Sequence, residues 1–311
     1  TMPGFTAPKT EGKWSLRASI TGELVFDNVK VPKSNVLPKK DGLGAPLGCL
    51  DKARYGISWG AIGVAMDCYE ASKRYSLGTT WNPIFDNEST YSIGCVTIDP
   101  NNHSTIWVGS GENVGGRHVA YGDGVYKSEN GGKDWKNMGL KSSEHISKII
   151  VHPHNSDIVW VAAQGPLWSK GGERGLFKTI DGGKNWKKVL GVNEWTGATD
   201  LLIDPRNPNV LYAATWQRHR TVAGYLSGGD GSGIYKSEDG GENWEKLTNG
   251  LPTSKMGKIG IAISPQKTNV IYAAIELDRR KGGFYRSDNH GSSWSKMSDA
   301  VSGGTGPHYY Q

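Results

Sequence analysis

The sequence predicts a mainly β protein: about four repeated four-stranded units, preceded by a β-hairpin and one long amphipathic helix. Three observations carry this. A unit of about fifty residues recurs with an aromatic in a fixed place. The 311 residues include 44 glycines and 12 tryptophans but only 5 phenylalanines, which suits many tight turns and repeated aromatic positions. The hydrophobic period changes from helical to alternating near residue 78.

Residues 15–37 alternate apolar and polar positions around Leu24, Phe26, Val29 and Val31, with Asp27 and Asn28 as the turn and Pro32 closing the second run. That pattern predicts the β-hairpin. Apolar residues then recur at Leu50, Ala53, Ile57, Ala61, Val64, Ala65, Cys68 and Tyr69, the spacing of a helix with one buried face over 46–77. From residue 78 four passes align. The first strands and their turns are CVTIDPNN, IIVHPHN, LLIDPRN and IAISPQK; the second strands are TIWVGSG, DIVWVAAQ, NVLYAATW and NVIYAAIE. The third strands are GVYKS, GLFKT, GIYKS and GFYRS, each running into a turn that ends in tryptophan: SENGGKDW, TIDGGKNW, SEDGGENW and SDNHGSSW. A fourth strand follows each turn. Four antiparallel strands per repeat make the blade of a β-propeller. Gly78, Thr79, Thr80 and Trp81 match the closing half of the same turn, so the array enters in mid-turn and the chain reads as two pieces joined. The expected arc is open, of marginal stability, with strand edges accessible to a partner.

The formal charge of +6 comes from 36 basic and 30 acidic residues scattered along the chain, without a run that would mark a nucleic-acid surface. Cys49, Cys68 and Cys95 lack metal or CxxC spacing and are read as ordinary thiols, and no metal site is expected. No stretch has the length of a membrane span or the apolar core of a signal peptide, which places the chain in the cytoplasm by default. The Gly-rich pieces GSGENVGG and SGGDGSG precede no helix and are not read as phosphate loops.

The turns fit the Asp-box pattern Ser/Thr-x-Asp-x-Gly-x-x-Trp. Their residues are Ser128, Asn130, Gly132 and Trp135; Thr179, Asp181, Gly183 and Trp186; Ser237, Asp239, Gly241 and Trp244; and Ser287, Asn289, Gly291 and Trp294. Residues 78–311 thus resemble the Asp-box (BNR-like) propellers of the sortilin/Vps10-like and glycosidase-like group. The box is read as structural: the acidic or amide side chain bonds backbone donors, glycine accepts a positive φ and tryptophan packs beneath.

Residues 1–77, PGFTAPKTEGKWSLRASITGELVFDNVKVPKSNVLP followed by GCLDKARYGISWGAIGVAMDCYEASKRYSL, are similar to acyl-CoA dehydrogenases of the glutaryl-CoA type. The resemblance implies the end of that family's middle β-domain and the first helix of its C-terminal bundle. It implies acyl-CoA contact for Leu47, Gly48, Cys49, Leu50, Asp51, Lys52, Ala53 and Arg54. It also implies a flavin-binding arginine two residues after Leu77, where Thr79 stands. The catalytic glutamate and the flavin-contacting strands lie outside the matched portion. No cofactor is therefore expected for this chain, FAD belonging only to an intact relative.

Candidate binding residues come from the long, individually distinct connections between second and third strands: Arg117, His118, Trp168, Arg174, Trp216, Arg218, His219, Arg220, Arg279 and Arg280. Arginine forks match anions and indole faces offer apolar area to a carbohydrate or protein ligand. Glu112, Asp123, Glu173, Asp230, Glu276 and Asp278 lie in or beside these loops, but no pair is selected for glycoside hydrolysis, which needs two carboxylates flanking the bond. Glu144, His145 and Asp200 are read as surface or turn residues. The chain is expected to be a non-catalytic binding or scaffolding propeller fragment behind an inactive dehydrogenase remnant. The alternatives are an FAD-dependent dehydrogenase, if an intact relative is meant, and a glycoside hydrolase or carbohydrate-binding propeller. The partners left open are a protein or carbohydrate ligand at the mouth and a second copy at the strand edges.

Overall fold

The computed structural model describes residues 3–9, 22–35, 66, 69, 83–113, 119–277 and 281–299. The chain divides into two compact units, 1–82 and 83–311. In the first, β1 (Phe5–Thr6) pairs antiparallel with β2 (Val25–Phe26), with a bridge from Lys9 to Gly22 and a 3-10 turn at Lys33–Asn35. This corrects the predicted hairpin: Phe26 faces Phe5, their rings 5.3 Å apart, rather than the Val29–Val31 run. Asp27 donates its N–H to the Gly4 carbonyl at 2.8 Å, Asn28 turns away at φ 49°, and Pro32 has no N–H for a returning ladder. The long helix over 46–77 lies outside the described residues apart from Met66 and Tyr69, which have helical backbone. Among the described residues no α-helix of defined length is shown, and the only bounded helical elements are short 3-10 turns. Residues 47–54 also lie outside the described set.

The second unit holds four antiparallel four-stranded sheets, each in simple chain order apart from one excursion. Blade 1 is β3 (Ile93–Asp99), β4 (Asn102–Ser110), β5 (Val125–Ser128) and β6 (Lys136–Asn137). Blade 2 is β7 (Ile146–His152), β8 (Asn155–Ala163), β9 (Gly175–Thr179) and β10 (Lys187–Leu190). Blade 3 is β11 (Thr196–Asp204) and β12 (Asn207–Gln217), then β15 (Gly233–Ser237) and β16 (Glu245–Leu247). Between them a small ladder, β13 (His219–Arg220) with β14 (Tyr225–Leu226), forms the long connection. Blade 4 is β17 (Met256–Ile263), β18 (Ile271–Leu277), β19 (Lys281–Ser287) and β20 (Ser295–Ser298). The predicted strands and their order are therefore present as four propeller blades.

Three apolar clusters separate the four blades. Trp107 and Val125 of blade 1 pack with Ile149, Val151, Val159, Val161 and Phe177 of blade 2. Trp160, Ala162 and Leu176 of blade 2 meet Leu201, Leu211, Ala213 and Tyr235 of blade 3. Tyr212, Ala214 and Ile234 of blade 3 meet Ile261, Ile271, Ala273 and Tyr285 of blade 4. Blades 2 and 3 thus each present one face to their predecessor and the other to their successor, as alternation along a strand requires.

The four tryptophan-ended turns share one hydrogen-bond scheme. The hydroxyls of Ser128, Thr179, Ser237 and Ser287 accept the N–H of Gly132, Gly183, Gly241 and Gly291 at 2.9–3.0 Å. They donate to Oδ1 of Asn130, Asp181, Asp239 and Asn289 at 2.7–3.0 Å. Each Oδ1 then accepts the N–H four residues on, at 2.9–3.0 Å. An amide oxygen supports this as a carboxylate does, which explains asparagine in two of the four turns. The four glycines lie at φ 83–93°, a region that strains any side chain.

The bonds hold the Asp181 carboxyl at about 2, the Thr179 hydroxyl contributing most, and also lower Asp239. A lowered native pKa stabilises above the unfolded value and the effect is lost as pH falls through the native one. Unfolding midpoints are therefore expected to fall between about pH 4 and pH 2. The double variant D181N/D239N should flatten that decline, as read by urea titration across pH; a parallel decline in both proteins would refute the assignment.

Candidate functional site

The first strands of successive blades lie side by side, β3 beside β7, β7 beside β11 and β11 beside β17. Each carries a register irregularity near its start: between Ile93 and Cys95, Ile146 and Lys148, Ala198 and Asp200, and Met256 and Ile259. A bulge of this kind bends the strand and re-aims the side chains around it. In the first three blades the aligned residue after the bulge is Cys95, Lys148 and Asp200, with Gly260 at the same place in the fourth.

Here a cavity of about 470 Å³ is lined by Asn113, Ser147, Lys148, Thr199, Asp200, Lys258, Ile259, Gly260, Ala274 and Glu276. Asp200 is held by the backbone, its Oδ1 accepting the N–H of Leu201 at 2.9 Å and its Oδ2 that of Ile261, in the next blade, at 3.1 Å. Glu276 Oε2 accepts the Lys258 N–H at 3.2 Å, and Lys258 Nζ donates to the Asn113 carbonyl at 3.1 Å while lying 5.5 Å from the centre of the Trp216 ring. Asn113 Oδ1 also accepts Gln164 Nε2. Lys258 therefore connects blade 4 to a loop of blade 1 across the cavity.

Burial raises the proton affinity of Asp200, against the backbone bonds and the nearby Lys148 and Lys258 ammoniums. Burial also lowers the Lys258 pKa, helped by the Arg218 charge and opposed by Asp200 and Glu276. The Cys95 thiol is pushed up to about 12 by burial and is no nucleophile at neutral pH, in keeping with its reading as an ordinary thiol.

The loop residues selected from sequence divide into two sets. Arg117, His118, Arg279 and Arg280 lie outside the described residues. Trp168 is half exposed on its loop. Arg174 is buried and donates to the carbonyls of Gly171, Pro166 and Ser169 at 2.6–2.9 Å, so its fork holds its own loop. Burial lowers its pKa to about 10, which leaves it charged at neutral pH. Trp216, Arg218 and Arg220 are buried too: Trp216 donates to the Ser227 carbonyl at 3.0 Å, Arg218 stacks on Trp216 and Arg220 on Tyr225, each at 4.9 Å, while His219 lies 4.4 Å from Trp195. These side chains build the connection itself.

Two readings are corrected. His145 is only 1% exposed, and burial, then the Arg218 charge, drives its pKa down to about 3, so it stays neutral. Asp200 sits on β11 at the cavity rather than in a turn, whereas Glu144 does occupy a turn, at φ 57°. Of the carboxylates near the loops, Asp123 accepts the Tyr126 hydroxyl, Glu173 accepts the Ser142 N–H and hydroxyl, and Glu112 accepts the Ala120 N–H. Glu276 alone of the described ones joins Asp200 at the cavity.

The chain matches no protein-family profile. It is similar to the acyl-CoA dehydrogenase of Bacillus subtilis, 41% identical over 75 residues that make up 24% of this chain and 20% of the relative. It is similar over the same share to the glutaryl-CoA dehydrogenase of Desulfococcus multivorans, at 42% identity and 19% of the relative. It thus spans about a fifth of the length of these dehydrogenases. A third relative is the oligoxyloglucan-reducing end-specific xyloglucanase of Emericella nidulans, 23% identical over 55% of this chain and 27% of the relative. Among solved structures, an ancestral GH74 enzyme superposes with a TM-score of 0.51 at 21% identity, covering 71% of this chain and 25% of that one. That likeness is one of fold. The GH74 xyloglucanase from Xanthomonas campestris gives 0.49 at 15% identity, covering 65% and 29%.

Asp200 and Asp181 are expected to separate in a carboxyl-carbon NMR titration, Asp200 titrating above the ordinary aspartate value and Asp181 near 2. Coincident midpoints would contradict the assigned environments.

Proposed function

We propose that residues 83–311 are the glycan-binding arc of an Asp-box propeller of the kind found in glycoside hydrolases, holding a neutral oligosaccharide at the cavity between the first strands. The observation that carries this is the composition of that cavity: two carboxylates, Asp200 and Glu276, two ammoniums, Lys148 and Lys258, the hydroxyls of Ser147 and Thr199, and the Asn113 amide. Opposite charges balance, so the lining favours no strongly charged ligand. It offers both donors and acceptors to a molecule rich in hydroxyls. Similarity to a xyloglucanase over 55% of the chain supports a β-glucan of the xyloglucan type as the ligand class.

A second reading, hydrolysis, rests on Asp200 and Glu276 lining the same cavity, where burial shifts the proton affinity of Asp200 in the direction a general acid needs. Glu276 would then be the second carboxylate. For residues 1–77 we infer kinship with a segment of the acyl-CoA dehydrogenases; Thr79 stands where the family's flavin arginine would fall, and no step through FAD is derived. The junction is testable, since the tryptic peptide from Tyr75 to Arg117 crosses it and contains no internal lysine or arginine. Its detection in natural material establishes one polypeptide, whereas its absence beside peptides from both sides refutes the joined chain.

Isothermal titration with xyloglucan oligosaccharides should show saturable binding, weakened about tenfold by E276Q or K258M, a loss of roughly 1.4 kcal/mol. No binding by the parent chain overturns the glycan reading. If reducing sugar is released, D200N should abolish the release while binding persists, and unchanged release would exclude Asp200 as the acid.

A further inference from the structure

Lysines drawn into the surface of this fold are paired with carboxylates. On the Asp-box side, Lys127, Lys178 and Lys236 have side chains only 11–15% exposed, and Glu129, Glu242 and Glu238 hold them at 2.6–2.7 Å. Lys258 on β17 is half-buried too, but it is held differently. Its Nζ donates to the Asn113 carbonyl at 3.1 Å and approaches Asn113 Oδ1 at 3.5 Å, and no carboxylate of the described residues is in ion-pair contact with it. Its other neighbours are a ring and a second cation. The Trp216 ring centre lies 5.5 Å from Nζ, and the buried Arg218 guanidinium stacks on the same ring at 4.9 Å. Two cations therefore share one indole.

An amine in this place is suited to its neutral form. Neutral –NH2 keeps two N–H groups, enough for the two Asn113 oxygens, and gains a lone pair. Burial, then the Arg218 charge, lowers the Lys258 pKa against the pull of Asp200 and Glu276, the combination of desolvation and a neighbouring cation that makes a lysine nucleophilic. Lys258 also lines the cavity of about 470 Å³, which has room for a small molecule.

From this placement we propose that Lys258 captures small hydroxyaldehydes in the cavity as a Schiff base. The Nζ lone pair adds to the carbonyl carbon, the C=O electron pair moves onto oxygen, and a proton passes from nitrogen to that oxygen. Loss of the remaining N–H proton together with the hydroxyl then forms C=N and releases one water, so nothing is oxidised or reduced. Asp200 and Glu276 are the carboxyl groups at the cavity that exchange these protons. Ser147, Thr199 and Lys148 offer hydrogen bonds to the hydroxyl of the aldehyde, which sets the class as polar rather than apolar. The charged groups around Lys258 are thus Glu276 from β18, Asp200 from β11, Lys148 from β7 and Arg218 just beyond β12. The capture shares the cavity with the glycan reading but does not rest on it.

The test needs no variant, so misfolding cannot imitate its result. The full chain is incubated with glycolaldehyde and sodium cyanoborohydride, which reduces the imine to a stable amine, and peptide mass spectrometry follows the label at each lysine. Near neutral pH, Lys258 is expected to be labelled about tenfold faster than the exposed Lys133, Lys141 and Lys267, in proportion to its larger neutral fraction. Its rate should saturate with aldehyde concentration and level off at a lower pH than theirs, while the exposed lysines respond in proportion to concentration. Acetaldehyde, which lacks the hydroxyl, should lose the preference for Lys258. Labelling of Lys258 no faster than the exposed lysines, or without saturation, overturns the proposal, and an equal preference with acetaldehyde overturns the assigned class. Oligosaccharide binding without capture refutes this activity alone; capture without oligosaccharide binding supports it and refutes the glycan reading alone.

Discussion

Everything in the second unit depends on the need of a twisted sheet to bury both of its faces. A four-stranded blade cannot do this alone, and the stacked blade is the smallest partner that satisfies it. This explains the residue types in the strands. Trp107, Trp160 and Tyr212 supply large apolar area on one side, while Ile149, Leu201 and Ile261 supply branched side chains on the other. At about 25 cal/mol per Å² of buried apolar surface, a single indole contributes several kcal/mol to such an interface. The closing turns serve the same end. Their hydroxyl, carboxylate and glycine fix the direction in which each third strand returns, and two of their tryptophans, Trp135 and Trp186, bond to carbonyls of chain that precedes their own blade.

Stacking by large apolar faces leaves the axial ends of the first strands to other chemistry. The bulge near the start of each first strand takes the residues around it out of the ladder's alternation, so Lys148 and Asp200 line a cavity in place of entering a blade interface. The cavity holds charge because each charged group has backbone or opposite charge beside it: Ile261 and Leu201 amides for Asp200, the Asn113 carbonyl and two carboxylates for Lys258. Isolated buried ions would be far more costly.

How much of this was legible in the sequence follows from how local each feature is. The turns were legible because the bonds of their hydroxyl and their aspartate or asparagine all close within six residues of the hydroxyl. The strands were legible because apolar alternation and the Pro-Asn turns recur in register. The first-unit pairing was not: alternation around Leu24 and Phe26 fits a local hairpin, but the partner, Phe5, lies on the far side of a long connection, and nothing in the pattern selects it. Three of the mouth arginines were misread for a related reason. Arg174, Arg218 and Arg220 sit in loops, where arginine is ordinarily solvated, yet the loops fold over them and turn the guanidinium groups inward onto carbonyls and rings.

The cavity shows where a single-chain signal existed and was weak. Aligning the repeats puts Cys95, Lys148, Asp200 and Gly260 in one column, and a lysine and an aspartate in a strand that should be buried on both faces conflict with the local pattern. Such conflicts between local preference and global position are expected where a site has displaced packing. The column gives the place but not the chemistry, because the raised proton affinity of Asp200 and the lowered one of Lys258 depend on groups from other blades. Lys258 stands two residues before its own column and reaches the cavity only through the displaced register of β17, and Glu276 belongs to the second strand. A polar site in a propeller is therefore assembled across repeats: the periodic part of the sequence marks its ring, and the departures from that period decide what the ring can hold.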